Sequence, residues 1–128
     1  MTIREAIMNR RSIRKFSQEP INYSELLKLV EYAAMAATGG NLQPLKFKIA
    51  SSKELTNQIF PHIKWAAYLD NASPLPNERP TAYIAVFGDL NIKQQFECDA
   101  GAAVTNMMLG AYEYGIASCW RGAIDRDA

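Results

Sequence analysis

Four cationic side chains near the start of the chain are the residues best suited to bind an anion. Arg10, Arg11, Arg14 and Lys15 lie within six residues, and Ser12 stands among them. A guanidinium group matches two phosphate oxygens at once, and a serine hydroxyl can donate one further hydrogen bond. The spacing therefore indicates a clamp for a phosphate or another polyanion. The alternative is a solvated basic turn, which is the usual role of a run of like charges.

A second stretch, Thr38–Pro44, favours the binding interpretation. Two adjacent glycines, Gly39 and Gly40, are followed by the side-chain amides of Asn41 and Gln43. Glycine lets a backbone approach another group closely, and each amide carries both donors and acceptors. The alternative is that the two glycines only end a preceding helix as its C-cap.

Aromatic residues in the middle of the chain are candidates for a lid. Trp65 and Tyr68 precede a loop from Asp70 to Pro80 that contains three prolines. Prolines at this density predict irregular backbone. For these two rings and for Trp120, packing in the core or in a lid is set against stacking on a substrate.

Length and composition restrict the class of protein. The 128 residues suit one domain, and 14 basic against 13 acidic residues leave a net charge of +1, which argues against nucleic-acid binding. Cys98 and Cys119 are far apart with no secretory signal before them. We therefore expect reduced thiols in a cytoplasmic protein, with Cys119 as a small buried hydrophobe. The single histidine, His62, argues against a metal site and is expected at the surface. No apolar run of about 18 residues is present, so no membrane span is expected.

Caps and apolar periodicity predict the helices that position these candidates. Thr2 and Glu5 form a capping box, which predicts a helix over Ile3–Asn9. A broad apolar stripe predicts a second helix over Tyr23–Ala37, ending at Thr38–Gly40.

Two further helices are predicted in the second half of the chain. One lies near Lys53–Phe60 and is stopped by Pro61, and a short helical piece over His62–Tyr68 is a further interpretation. The longest candidate, Asp99–Gly115, has almost no polar face. A helix that is apolar all round is a buried one, so we expect it at the centre of the fold or at a subunit interface.

Three segments predict strands. Leu45–Ala50 alternates apolar and polar residues, and Ile116–Trp120 follows the long helix. Thr81–Gly88 is continuously apolar, which predicts a buried strand. The layout predicts an α+β or α/β fold. No glycine-rich dinucleotide turn follows a strand, so a Rossmann site is not indicated.

The candidate motifs resemble those of one known family. Arg10–Phe16 resembles the opening motif of the nitroreductase family of FMN-dependent oxidoreductases. Thr38–Pro44 is similar to that family's second motif, a small-residue turn followed by Asn-x-Gln-Pro. Asp99–Ala103 and Gly115–Gly122 resemble its central helix and the strand after it. The likeness covers nearly the whole chain in the family's order, so the three motifs together are specific.

The resemblance implies a fold and a cofactor site. The fold is α+β, a three-layer α-β-α sandwich with a central, mostly antiparallel sheet, and it forms a homodimer with FMN at the subunit interface. The first motif would hold the FMN phosphate and the pyrimidine edge of the ring through Arg10, Arg11, Ser12 and Arg14. The second would reach the flavin from the other subunit through Thr38, Gly39 and Asn41, with Gly40 allowing close approach and Gln43 near the ring. Arg121 and Gly122 match the segment whose backbone passes beside the reactive N5 edge.

The chemistry of these side chains agrees with the implied cofactor. FMN carries roughly two negative charges on its phosphate, and clustered arginines can bind them with charge-assisted hydrogen bonds. The reduced ring gains negative charge near N1 and O2, which a nearby cation stabilises.

The resemblance also implies an activity. Hydride would pass from NADH or NADPH through flavin N5 to a small organic acceptor such as a nitroaromatic or a quinone, and no catalytic side chain is required. Two alternatives stay open: a flavin-modifying or reductively dehalogenating member of the same fold, and a non-enzymatic module that binds nucleic acid through its basic arm. Family members usually continue for some tens of residues. We therefore expect residues 1–128 to be one FMN-binding domain that is incomplete at its C-terminal end.

Overall fold

Helices make up most of the regular structure of this chain. The computed structural model describes residues 1–66, 68–70, 73–122 and 124–127. Its α-helices are α1 (Ile3–Asn9), α2 (Tyr23–Ala34), α3 (Lys53–Ile59) and α4 (Glu97–Glu113). Its strands are β1 (Leu45–Ala50) and β2 (Tyr83–Gly88), and short 3-10 turns occupy Gly39–Asn41, Phe60–His62 and Pro76–Glu78.

The core forms where α2 packs against α4. Leu26, Leu29 and Ala33 recur at helical spacing on α2, so they share one face, and each is buried. The residues that face them from α4 are Ala103, Val104, Met107 and Ala111. This contact fixes the direction of α4, the helix against which both candidate motifs lie.

The two strands form an antiparallel sheet under these helices. The register places Phe47 opposite Val86, and both side chains pack against the core. Lys46 and Lys48 alternate with the inward residues and are exposed. The alternation that predicted β1 is therefore confirmed, and the described sheet has one face covered by helices and one face exposed.

The first helix begins as predicted. The Thr2 hydroxyl accepts the backbone N–H of Glu5 at 3.1 Å, and the Glu5 carboxylate accepts that of Thr2 at 2.7 Å. Ala6 is the buried residue of α1, whereas Ile3 and Ile7 are exposed. The capping box is confirmed, and α1 presents much of its apolar surface outward.

The end of α2 differs from the prediction. α2 stops at Ala34 rather than at Ala37, because the backbone N–H of Met35 already divides its bond between the carbonyls three and four residues back. Thr38 is extended, at φ −128° and ψ 148°. The interpretation of the two following glycines as a helix C-cap is therefore wrong.

The predicted third strand, Ile116–Trp120, does not form within the described residues. One isolated parallel bridge joins Ser118 to Ser12. A strand needs a hydrogen-bonding partner along its length, and the cationic segment supplies one at a single position. The strand predicted over Thr81–Gly88 is confirmed from Tyr83 onward, but the expectation that it is buried is wrong, because Ala85 and Phe87 are exposed.

Among the described residues of His62–Tyr68, the short helix considered there does not form. Ile63 has extended backbone and pairs with Ile124 in an isolated antiparallel bridge. Ala67, inside this span, lies outside the described residues. The 3-10 turn Phe60–His62 follows α3 directly and contains the proline that was expected to end it.

The longest helix, α4, is buried on one face rather than all round. It begins at Glu97, two residues before the predicted start, and Ala102 and Thr105 are exposed. These exposed positions leave the prediction of a subunit interface open. In the described part of the chain, no helix is long and apolar enough to cross a membrane.

Candidate functional site

The cationic segment Arg10–Phe16 is fixed between two other parts of the chain. Ile13 donates its backbone N–H to the carbonyl of Ser118 at 2.9 Å. Phe16 donates to the carbonyl of Glu78, also at 2.9 Å. The fold therefore brings the first candidate motif beside the C-terminal one.

The cations of this segment have different partners. Arg11 donates Nη1 to the carbonyls of Met8 and Arg10, both at 2.9 Å, so its charge faces the C-terminal end of α1. Lys15 lies 4.0 Å from a carboxylate oxygen of Glu78. By contrast, Nη1 of Arg10 is buried and has no hydrogen-bond partner among the described residues. A buried donor without an acceptor is costly, so Arg10 has unused capacity for a ligand.

Arg14 and Arg121 contact the two lid candidates. Arg14 donates Nη2 to the Tyr68 hydroxyl at 3.3 Å, and the Arg121 guanidinium lies 4.8 Å above the Trp65 ring. Arg121 also donates to the backbone carbonyl of Lys64. In both arginines Nε is buried without a partner among the described residues. Cations over an aromatic face attract the ring electrostatically, so these contacts hold the segment before the predicted lid loop against the site.

Two of the three aromatic candidates do not pack in the core, so for them the lid interpretation stays a prediction. Tyr68 is 79% exposed and Trp120 is 52% exposed, whereas Trp65 is partly buried. Within the loop Asp70–Pro80, the 3-10 turn noted above is the regular element, and residues 71 and 72 lie outside the described part. Cys119 is only partly buried, while His62 is exposed as expected.

The second motif forms an organised turn at the other end of α4. The Thr38 hydroxyl accepts the backbone N–H of Gln43 at 3.1 Å, and the Thr38 carbonyl accepts that of Asn41 at 3.0 Å. The Gln43 side chain donates to the Asn41 side chain at 3.0 Å. These bonds hold both amide side chains at the exposed surface of the turn.

Three residues of this turn adopt left-handed backbone. Gly40 has φ 64°, Asn41 has φ 54° and Gln43 has φ 51°. Glycine and asparagine tolerate this region, but glutamine rarely adopts it. For residues other than glycine such conformations cost roughly 1–3 kcal/mol each, and they concentrate at ligand sites, where the surrounding structure maintains them.

The two motifs lie toward opposite ends of α4. Arg10 lines a groove of about 270 Å³ together with Tyr112 and Gly115, at the C-terminal end of that helix. Gly39 donates its backbone N–H to Asp99, in the first turn, at 3.0 Å. α4 has 17 residues, which corresponds to about 25 Å at the usual rise per residue. No hydrogen bond among the described residues joins the two motifs.

A match to a protein-family model shows which family the chain belongs to. The model of the Nitroreductase family matches residues 7–75 and 67–128 of the chain. The chain belongs to the nitroreductase family. The resemblance inferred from the motifs and the α+β nitroreductase fold are thereby confirmed.

Other members of the nitroreductase family show how much of a relative this chain covers. A protein of Archaeoglobus fulgidus named "Putative NADH dehydrogenase/NAD(P)H nitroreductase" is 30% identical over 94% of the chain and 67% of its own length. "Putative NAD(P)H nitroreductase YfhC" of Bacillus subtilis is 28% identical over 93% of the chain and 68% of its own length. The chain thus spans about two thirds of these relatives.

Solved structures of the nitroreductase family share the fold. A nitroreductase family protein of Clostridium difficile 630 matches with a TM-score of 0.79 and 27% identity, over 99% of this chain and 72% of that one. A "putative nitroreductase in complex with fmn" of Desulfovibrio desulfuricans matches with a TM-score of 0.78 and 26% identity, over 96% of this chain and 69% of that one.

One pair of residues at the turn of the second motif was not identified from the sequence. Asp99 is 5% exposed and accepts hydrogen bonds from Lys93 Nζ at 2.8 Å and from the Gly39 backbone. These two donors, the lysine first, lower the pKa of the Asp99 carboxyl. The available signal is an acidic residue at the start of an otherwise apolar helix.

Proposed function

We propose that the protein is an FMN-dependent oxidoreductase that uses NADH or NADPH to reduce a small organic acceptor, such as a nitroaromatic or a quinone. The observation that carries the proposal is membership of the nitroreductase family together with cations that retain unused hydrogen-bonding capacity at its first motif. A relative 26% identical to the chain was solved in complex with FMN. The names of other relatives refer to NAD(P)H. The chemistry supplied by bound FMN would be acceptance of hydride from the nicotinamide and its transfer to the acceptor.

The first motif is suited to the phosphate end of FMN. Arg10 and Arg14 each keep a buried guanidinium nitrogen without a partner among the described residues. Ser12 is exposed, so its hydroxyl is free to reach a phosphate oxygen. Arg11 would contribute charge rather than a direct contact, because its Nη1 already binds carbonyls at the end of α1. Clustered guanidinium groups bind a phosphate dianion strongly when water is excluded.

The second motif is suited to the edge of a planar ring. Gly39 and Gly40 are exposed and carry no side chain over the turn. The bond from Gln43 to Asn41 leaves the Asn41 amide N–H₂ and the Gln43 carbonyl oxygen available to a ligand. Thr38 acts through the backbone of the turn, since its hydroxyl accepts the Gln43 N–H. One donor and one acceptor side by side would match the mixed edge of a flavin.

The C-terminal motif would border the reacting face. An added Cβ at Gly122 would meet no atom within 4 Å, so open space lies beside that backbone. Arg121 stacks on Trp65 and would hold this aromatic residue near the ring as part of a lid with Tyr68. The protein's role is then to orient the cofactor, to stabilise charge on it and to select what stacks on it.

The proposal includes a homodimer in which each flavin site takes residues from two chains. Arg10 and Gly39 are separated by most of the length of α4, about 25 Å. The N-terminal segment exposes large apolar side chains: Met1 is 67% exposed, Ile3 77% and Met8 63%. Apolar surface of this kind is typical of an interface. A second chain related by a twofold axis could cover it and bring the two motifs together.

Residues 1–128 would thus form one FMN-binding domain. We expect the protein in the cytoplasm, where its free cysteines, Cys98 and Cys119, would stay reduced.

Anaerobic reduction tests the proposed activity. The chain is reconstituted with FMN, and NADH or NADPH is added in separate cuvettes while the visible flavin absorbance is followed. We expect at least one nucleotide to bleach the flavin and a quinone to restore the colour. Binding of FMN without reduction by either nucleotide would contradict the oxidoreductase proposal, and tight binding of oligonucleotides without flavin would favour the basic-arm alternative.

A further inference from the structure

A buried ion pair lies directly under the glycine turn of the second motif. Asp99 Oδ2 accepts the ammonium of Lys93 at 2.8 Å, and Asp99 Oδ1 accepts the backbone N–H of Gly39 at 3.0 Å. The Asp99 side chain is 6% exposed and that of Lys93 is 25% exposed. One carboxylate therefore joins the first turn of α4, the segment after β2 and the glycine turn.

The same lysine closes the space next to the glycine. A Cβ built on Gly39 would lie 2.6 Å from Lys93 Nζ and 3.9 Å from Asp99 Oδ1. Any side chain at this position would displace the ammonium from its place against the backbone. Because Gly39 has no side chain, the Lys93 ammonium can lie against its backbone, and a ligand can also approach the turn closely.

The turn needs an external anchor because its own conformation is unfavourable. Asn41 and Gln43, the two non-glycine residues of the turn with left-handed backbone, follow the anchored amide within four positions. Strained backbone persists only where neighbouring contacts maintain it. α4 packs in the core through Ala103 and Val104, one turn beyond Asp99, so its first turn is a rigid support for such an anchor.

We propose that Asp99 and Lys93 are positioning residues for the flavin site: they hold the Gly39 turn in the shape that binds the ring, without touching the cofactor themselves. The inference rests on the proposed function, because it assigns a purpose to the shape of the turn. Asp99 supplies the acceptor for the Gly39 amide. Lys93 orients that carboxylate and neutralises its charge next to the site.

The test measures FMN affinity and the exchange of one amide hydrogen. Fluorescence titration with FMN is performed on the wild-type chain and on Asp99→Ala, Asp99→Asn and Lys93→Met. Lys28→Met is the matched control, because Lys28 pairs with Glu31 at 3.1 Å on the exposed surface of α2. Solvent exchange of the Gly39 amide, measured by NMR without flavin, reports on the anchor itself.

We expect affinity for FMN to fall by about tenfold or more in Asp99→Ala, since a charge-assisted hydrogen bond is lost. Asp99→Asn keeps an oxygen for the Gly39 amide and should recover part of this loss, with Lys93→Met also intermediate. Lys28→Met should stay within about twofold of wild type. Exchange of the Gly39 amide should accelerate in Asp99→Ala while the amides of β1 keep their rates, which a general loss of stability would not produce.

The possible results distinguish failure of the positioning role from failure of the proposed FMN-dependent function. Wild-type and Asp99 variants that bind FMN equally would overturn the positioning role and leave the proposed function standing. A wild-type chain that binds no FMN would overturn both. If Asp99→Ala does not fold, Asp99→Asn and Lys93→Met decide the question by the same two readouts.

Discussion

At the scale of single residues, the cations of the first motif fall into two groups. Some already bind carbonyl or carboxylate groups of the chain, and others keep hydrogen-bond donors without a partner among the described residues. Arg11 and Lys15 have partners within the chain, on carbonyls and on Glu78 respectively. Arg10 and Arg14 each retain a buried nitrogen without a partner among the described residues. A group that is desolvated and unpaired gains most from a ligand, so these two arginines should dominate phosphate binding.

Arg14→Ala should weaken FMN binding by about 2–4 kcal/mol, because removing one partner of a partly desolvated charge pair costs in that range. Lys15→Ala, one position along the chain, is the matched control and should cost less than about 1 kcal/mol, since its side chain is 50% exposed. Fluorescence titration of both variants measures the difference. Equal affinities would remove the special role of Arg14.

The stability contributed by Asp99 should depend on pH in one direction. Its pKa is lowered from an ordinary value of 3.8 by Lys93 first and by the Gly39 amide second. Folding therefore favours the charged carboxylate, and its contribution is complete above about pH 5 and is lost as pH falls through the lowered pKa. Urea unfolding of wild type and Asp99→Asn from about pH 6 to about pH 3 should show the gap between them narrowing in acid. A gap that widened in acid would contradict this sign.

At the scale of elements, the packing of α2 on α4 depends on a glycine. A Cβ on Gly110 would lie 2.5 Å from Cδ2 of Tyr32 and 3.3 Å from Cδ2 of Leu29. The hydroxyls of Tyr32 and Tyr114 lie 2.7 Å apart and tie the same helices together. This close approach belongs to the same α2–α4 contact that forms the core.

Gly110→Ala should therefore lower the free energy of unfolding by about 1–3 kcal/mol through overpacking. Gly101→Ala, in the same helix, is the control: its Cβ would meet Trp120 at 3.7 Å, an ordinary contact, and alanine favours a helix by about 0.5–1 kcal/mol over glycine. Urea denaturation compares the two variants. Equal destabilisation would show that the close contact with Tyr32 is not what matters.

Local signals predicted the elements whose causes are local. The capping box at Thr2 and the alternation in β1 concern neighbours in sequence, and both are confirmed. The failures involve partners that are distant in the chain. A strand at Ile116–Trp120 required a partner that the basic segment supplies at one position. The turn that contains the left-handed Gln43 is anchored through Gly39 to Asp99, a contact that residue propensity does not encode.

The sequence predicted the kind of chemistry at the candidate site, but not which side chains contact one another there. Clustered arginines predict an anion-binding site from residue type alone. Their division into engaged and unengaged groups depends on Glu78 and Tyr68, which are distant in the sequence, as well as on the nearby Met8. The anchoring of Gly39 by Asp99, 60 positions later, was equally beyond local reasoning.

At the scale of the whole molecule, the separation of the motifs along α4 predicts complementation between chains. Arg10→Ala and Gly39→Leu should each impair both sites of their own homodimer. In a mixed dimer one site would collect both defects and the other neither, because each site takes Arg10 from one chain and Gly39 from its partner. We expect one FMN per mixed dimer at nearly wild-type affinity, measured by titration after mixing. Two variants that restore no site on mixing would show that the pocket is not shared.

The identity of the bound flavin tests the central claim most directly. The chain is reconstituted with an equimolar mixture of FMN and FAD, freed of excess ligand and denatured, and the released flavin is identified by mass spectrometry. The clamp is suited to a terminal phosphate, and no dinucleotide turn is present in the sequence to hold a pyrophosphate. We predict recovery of FMN, with its retention greatly reduced in Arg14→Ala. Recovery of FAD, or of no flavin at all from the wild-type chain, would contradict the assignment of this chain as an FMN enzyme.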